Sequence, residues 1–141
     1  MCFLWFSGSK VNYILDNVDR VTSMTLENNS STTTLVNNVE YLAFGGVKSY
    51  DYGNGISFVA DFDKDYLVRN VPHTDGGNDL FNDTYGYAKM YQIDSITDGV
   101  DTTKSQSFVY DVKSQLNKAN GNYGQYDYSL DSVGNRLSKT K

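Results

Sequence analysis

"YSLDSVGNRLSK", Tyr128 to Lys139, is the stretch whose reading decides the fold. Tyr128 and Leu130 are two residues apart, so on an extended chain they share a face. Asp131 follows, and an aspartate there can accept backbone N–H groups two residues on and open a turn. Gly134 comes three residues later, and "RLSK" resumes an alternation of period two. The phrase therefore reads as strand, turn and returning strand. "YILDNVDRVTSM", Tyr13 to Met24, writes the same phrase near the other end of the chain, with Leu15 and Asp16 in the places of Leu130 and Asp131.

Sliding the phrase along the sequence finds further copies. They start at Leu15, Phe62, Tyr87, Tyr110 and Leu130, with spacings of 47, 25, 23 and 20 residues. The long first interval has room for one more unit, and "SYDYGNGISF" around Tyr50 fills part of it. A drifting period of roughly 20 to 25 residues marks stacked supersecondary units. Two residues before each start stand Tyr13, Ala60, Tyr85, Phe108 and Tyr128, so each unit carries a short apolar, mostly aromatic row. The next residue is Asp in four copies (Asp16, Asp63, Asp111, Asp131) and Ala88 in the fifth. Where Gly134 stands in the last copy, the others have Asp19, Tyr66, Tyr91 and Ser114, so a strict left-handed glycine is not required there.

Further turn signals separate the copies: Asn28-Asn29, Gly45-Gly46, Gly53-Asn54-Gly55, Asp75-Gly76-Gly77, Asp98-Gly99 and Asn120-Gly121-Asn122. No segment sustains a 3.6-residue period with caps. "DVKSQLNKA", residues 111 to 119, comes nearest to a helix, and its place in the repeat assigns it to turn and strand. The composition agrees. Among 141 residues are 12 Tyr and 7 Phe against one Pro and one Trp, and aromatic and β-branched residues suit a pleated, half-buried surface. The expected fold is all-β, a sheet of consecutive antiparallel hairpins over residues 11–139. An apolar start at 1–10 reads as a truncated strand, and 140–141 as a tail.

The net charge of −5 and the absence of any Lys/Arg cluster exclude a nucleic-acid surface, which needs cations to neutralise phosphates. "CFLWF", residues 2 to 6, is too short to span a bilayer and has no basic segment before it, so no membrane span or signal peptide is expected.

The Tyr-Asp phrases, most fully in "FVYDVKSQLNKANGNYGQYDYSLDSVGNRLSK" (residues 108 to 139), resemble tandem YD repeats. This is the repeat of Rhs proteins, bacterial wall-associated proteins, Tc-toxin shell components and teneurins. "DYGNGI", Asp51 to Ile56, echoes another of its phrases. The resemblance covers about residues 11 to 139 and implies a piece of a larger β-shell, one that encloses a C-terminal effector or toxin domain of a secreted or cell-surface parent. It departs from the pattern where Leu15 and Leu130 replace the repeat tyrosine, where Phe62 does so conservatively, and where Ala88 replaces the aspartate. The chain is also too short to close a shell. Family members with a self-cleaving core carry Asp-Pro signals, whereas the one proline, Pro72, follows Val71.

Sharper chemistry has little support. Asp61, Asp63 and Asp65 alternate as in the opening of a calcium loop, but Tyr66 and Pro72 stand where an EF-hand needs Gly and Glu. The simpler reading makes Asp63 the repeat aspartate. His73 and Cys2 are the sole histidine and thiol, too few for a zinc site and without the geometric partners of a catalytic pair. "VPHTDGGND" reads as a polar loop around His73. Sequons at Asn28, Asn29 and Asn82 would matter only in a eukaryotic secretory pathway. The expectation is a non-enzymatic structural module without cofactors. Its partners would be neighbouring repeats and, at open sheet edges, other copies. The alternative is a module that binds a glycan or surface protein with its tyrosine-rich face.

Overall fold

The computed structural model describes residues 5–6, 8–29 and 31–141. It contains fourteen strands: β1 (Trp5–Phe6), β2 (Ser9–Leu15), β3 (Val21–Asn28), β4 (Ser31–Tyr41), β5 (Val47–Tyr52), β6 (Ile56–Val59), β7 (Asp61–Phe62), β8 (Val68–Asp75), β9 (Asn78–Tyr87), β10 (Ile93–Asp98), β11 (Gln106–Tyr110), β12 (Leu116–Gly121), β13 (Gly124–Leu130) and β14 (Arg136–Thr140). Hydrogen-bonded neighbours follow chain order from β1 to β14, except that β6 pairs with β8 and β7 sits beside β8 off that path. Among the described residues the helical turns are of the 3-10 type, at Lys89–Tyr91 and Thr102–Lys104. The all-β hairpin fold expected from the period-two phrases is what the chain adopts.

The chain divides into two compact units. Residues Met1–Asp61 with Val71–Leu80 form the first, and Phe62–Asn70 with Phe81–Lys141 the second. In the first, register places Tyr13, Met24, Val36 and Tyr52 side by side across four strands. Residues opposite one another share a face, so this is one lateral row. In the second, Phe108, Ala119 and Tyr126 form the equivalent row. β11 alternates half-buried and exposed residues, with Gln106, Phe108 and Tyr110 on the covered side.

The interior is thin. Among the described residues only Ala60, in the first unit, and Ala119, in the second, are buried. No large side chain is fully covered, so close packing of a central core contributes little here. What remains is pairing between neighbours and ring packing on one face, the nearest-neighbour economy of a repeat array.

Two expectations are corrected. The unit missing between Leu15 and Phe62 is centred on Tyr41 rather than on Tyr50. Leu42 N–H donates to Gly46 O (2.8 Å) and Gly45 N–H to Leu42 O (3.2 Å), the pattern of the other turns. Tyr50 lies within β5, and Gly53–Gly55 turns the chain at the opposite hairpin end. Likewise "VPHTDGGND" is two strand ends, β8 and β9, joined at Gly76–Gly77 rather than a loop. The β6–β8 ladder stops at Phe58↔His73, one residue short of Pro72, so the missing proline N–H falls outside that ladder.

Candidate functional site

The repeated feature is the turn, and six copies share its backbone. They start at Leu15, Tyr41, Phe62, Tyr87, Tyr110 and Leu130. In each, the residue after the start donates its N–H to the carbonyl four residues on: Asp16 to Arg20, Leu42 to Gly46, Asp63 to Leu67, Ala88 to Gln92, Asp111 to Gln115 and Asp131 to Asn135, all at 2.8–2.9 Å. Four residues after the start the backbone is left-handed every time. The φ values are +63° at Asp19, +113° at Gly45, +62° at Tyr66, +61° at Tyr91, +65° at Ser114 and +93° at Gly134. Glycine is indeed not required, but the left-handed conformation is. At the non-glycine positions it carries a steric cost of about 1–2 kcal/mol.

The aspartates offset that cost. Asp16 Oδ1 accepts from the N–H of Val18 and Arg20, each at 2.9 Å. Asp63 Oδ1 does the same with Asp65 and Leu67, Asp111 Oδ1 with Lys113 and Gln115, and Asp131 Oδ1 with Val133 and Asn135. Here lies the physical meaning of the repeat aspartate: one oxygen closes a turn whose amides point inward. The Asn135 side-chain amide (2.8 Å to Oδ2), aided by backbone N–H groups, holds the Asp131 carboxyl below the usual carboxylate range. The Arg20 backbone N–H, and then its guanidinium, do so for Asp16. Leu42 and Ala88 supply no such oxygen.

A bulge follows five of the six turns. Leu15↔Val21, Tyr41↔Val47, Tyr87↔Ile93, Tyr110↔Leu116 and Leu130↔Arg136 are paired, and one residue is then skipped on the returning strand: Thr22, Lys48, Asp94, Asn117 and Leu137. Bulges interrupt the ladder, and the repeat tyrosine answers the interruption. Tyr41 Oη donates to Val21 O (2.7 Å), Tyr87 Oη to Val68 O (2.8 Å) and Tyr110 Oη to Ile93 O (2.8 Å). Each tyrosine thus ties its own hairpin to the first residue of the preceding copy's returning strand. Phe62 and Leu130 lack the hydroxyl, and Leu15 opens the series. Burial, with the nearby Asp94 charge second, raises the Tyr110 phenol above its ordinary pKa.

The residue after the turn adds lateral ties. The Arg20 guanidinium lies 4.6 Å above the Tyr41 ring and pairs with Asp16 at 2.8 Å. Gln92 Nε2 donates to Ser114 O at 3.0 Å. The Gln115 amide, turned so that both its ends are satisfied, donates to Asp111 Oδ2 and accepts from Gly134 N–H.

Of the other residues singled out, Tyr13 lies half-buried in the first unit's row and Leu15 is 43% exposed at the turn. Tyr85 pairs with Ile96 on the second unit's sheet. Phe108, Tyr128 and Leu130 are half-buried there. Tyr128 faces Lys139, whose ammonium lies 3.7 Å above the Tyr126 ring. Asp63 does turn work, and among the described residues no three His, Cys, Asp or Glu side chains gather as a metal group. His73 belongs to an aromatic cluster of the first unit, 5.0 Å from Phe58 and 6.3 Å from Tyr52 between ring centres. Cys2 falls outside the described residues, as does most of the apolar start. No described helix is long and apolar enough to cross a membrane.

The same cluster borders a hollow of about 500 Å³ in the first unit, lined by Val21, Met24, Val36, Tyr41, Tyr50 and Phe58 among others. Tyr50 and Phe58 stack at 4.7 Å, and Tyr50 meets Tyr52 edge-on at 5.0 Å with their hydroxyls 3.0 Å apart. Burial, then the Tyr52 hydroxyl, pushes the Tyr50 phenol up to about 12.

Fold and turn together define an antiparallel sheet of tandem hairpins. Solved structures carry the same fold: the Photorhabdus luminescens Tc holotoxin pore, at a TM-score of 0.82 and 14% identity, covers 93% of this chain. The crystal structures of TcdB2–TccC3–TEV and TcdB2–TccC3–Cdc42 match at a TM-score of 0.82 and 15% identity over the same share. In each case this chain spans 8% of the length of the chain it matches. No protein-family model and no curated protein matches the sequence.

Proposed function

We propose that the chain is a wall-forming module, a stretch of YD-repeat sheet that serves as part of a shell around a C-terminal effector or toxin domain of a larger secreted protein. The observation that carries this reading is the tyrosine tie, made from Tyr41, Tyr87 and Tyr110 to the copy before. Such ties stabilise a sheet that has almost no core of its own, and they extend an array rather than shape a site. Its work is backbone pairing and ring packing, with no turnover. The likeness in fold to Tc toxin chains supports it.

The test is protease protection in the full parent protein. Protection of the C-terminal region should be lost when one repeat, residues 93–115, is deleted. Equal protection with and without that repeat would overturn the shell reading.

A second reading, recognition of a ligand by the aromatic face, is favoured by the hollow beside Tyr50. Tyr41, Tyr50 and Tyr52 already engage their hydroxyls within the protein. The hollow therefore suits an apolar side chain of a protein ligand better than a sugar, which needs several polar partners. Binding of a glycan array by the chain, abolished in Tyr50→Ala, would reverse that preference.

A further inference from the structure

Asp83 on β9 stands directly opposite Asp98 on β10. Tyr85↔Ile96 is the next pair on the same face, so both carboxyls belong to the half-buried side of the hairpin. Residues paired across an antiparallel ladder hold their Cβ atoms about 4.5–5.5 Å apart, and like charges placed so repel. Elsewhere the register sets a charge against its opposite, Lys10 against Glu27 and Lys118 against Asp127.

The two acids are not equivalent. Asp98 Oδ1 accepts from the N–H of Val100 (2.9 Å) and of Asp101 (2.8 Å), and so starts the segment that runs through the Thr102–Lys104 turn to β11. Its Oδ2 has no partner among the described residues. Asp83 has neither a donor to its carboxyl nor a paired cation among them, and its surroundings supply none. On β8 the Asn70 amide is spent on Asn82 Oδ1, Asp83 O and Thr84 Oγ1, and Arg69 makes no ion pair. Beyond β10, Lys104 is held by Asp101 at 3.2 Å, and β11 brings the uncharged Gln106 and Ser107. Burial, and then the Asp98 charge, push the Asp83 carboxyl above its ordinary range. On β9 itself burial, and then the Asp83 charge, raise the Tyr85 phenol.

We propose that Asp83 and Asp98 form a proton-operated latch. One proton, taken from solvent onto Asp83, replaces a repelling pair by an O–H donated to Asp98 Oδ2. It fastens the end of the β9–β10 hairpin together with the segment that Asp98 starts. A carboxyl whose folded pKa is raised contributes its stability fully below the unfolded value of about 3.9 and loses it as pH rises through the folded value. The latch therefore closes on acidification and loosens towards neutrality. The Asp16 and Asp131 turns respond in the opposite direction, because their carboxyls are held low. The device is a property of the sheet and does not depend on what the sheet encloses.

The experiment measures amide hydrogen exchange of the full chain by nuclear magnetic resonance between about pH 7.5 and about pH 4.5. That range lies above the one in which Asp16 and Asp131 protonate. Each rate is divided by the intrinsic rate at the same pH. Protection of the Gly99, Val100 and Asp101 amides should rise at least ~threefold as pH falls, while the Lys113 and Gln115 amides of the Asp111 turn stay level. Asp83→Asn, neutral at every pH and able to donate to Asp98, should hold the acid level of protection throughout. It leaves every other titratable group in place, His73 included. Wild-type protection that does not change with pH would overturn the proposal, and so would an equal rise in Asp83→Asn. If that variant fails to fold, carbon-13 titration of the wild-type carboxyls decides. Asp83 should then titrate above about 3.9, with the Asp98 resonance moving in the same step. An Asp83 midpoint at or below that value would overturn the latch.

Discussion

Two neighbouring turns, at Ala88 and at Asp111, have the same backbone and different support. Ala88 N–H reaches Gln92 O at 2.8 Å, and Asp111 N–H reaches Gln115 O at 2.9 Å. Yet Asp111 adds two side-chain bonds, to the Lys113 and Gln115 amides, where alanine adds none. The Ala88 turn also holds two successive non-glycine residues left-handed, Met90 at +67° and Tyr91 at +61°. The sheet around a turn is therefore sufficient to impose its path, while the aspartate lowers the cost of holding it. Leu42 teaches the same lesson in the first unit, with Gly45 relieving the strain there.

The comparison breaks most readily at Asp111. Asp111→Ala should destabilise the chain by about 1–2 kcal/mol, as loss of a side-chain cap does, read as a shifted urea midpoint with an unchanged slope. An unshifted midpoint would mean that the aspartate is ornamental. Supplying the missing group is the converse. Ala88→Asp should add about 0.5–1.5 kcal/mol and slow hydrogen exchange at the Met90 and Gln92 amides. A smaller gain, about 0.5–1 kcal/mol, is expected from Leu130→Tyr, whose hydroxyl can reach Leu116 O as Tyr110 reaches Ile93 O. Replacement by Phe at 130 is the control that isolates the hydroxyl.

Acid sharpens the contrast without mutation. The Asp131 and Asp16 carboxyls are held below their ordinary range, so their stabilisation is present above the unfolded carboxylate pKa of about 3.9. It is lost as pH falls below that value through the folded one. Amides Val133, Asn135, Val18 and Arg20 should lose exchange protection in that window before Met90 and Gln92 do, since Ala88 has nothing to titrate. Simultaneous loss would place the acid response elsewhere.

Much of this was legible because its signals are local. An aspartate after an apolar period-two pair marks strand and turn within a few residues, and four of the six turns announce themselves so. The Tyr41 turn was hidden because Leu42 removes the aspartate. The available clue was Gly45, four residues after Tyr41 as Gly134 is after Leu130. That Tyr66, Tyr91 and Ser114 are left-handed could not be read from residues with no such preference, because the sheet imposes it. The tyrosine ties join positions 20, 19 and 17 residues apart, a separation at which no local pattern speaks. His73 was misplaced for the reverse reason: Pro72 is a strong local signal against a strand, and the neighbouring strands override it, while the turn that Gly76-Gly77 announces comes only after His73.

The central claim is that six turns of one geometry, regardless of the residue they contain, order the chain into sequential hairpins. Nuclear magnetic resonance of the labelled chain tests it directly, through the intraresidue amide–Hα contacts that report left-handed φ. The account predicts strong contacts at Asp19, Gly45, Tyr66, Tyr91, Ser114 and Gly134 alike, with cross-strand contacts linking Tyr13 to Met24 and Phe108 to Ala119. Left-handed backbone at Gly45 and Gly134 alone, with extended or helical φ at the other four, would contradict it.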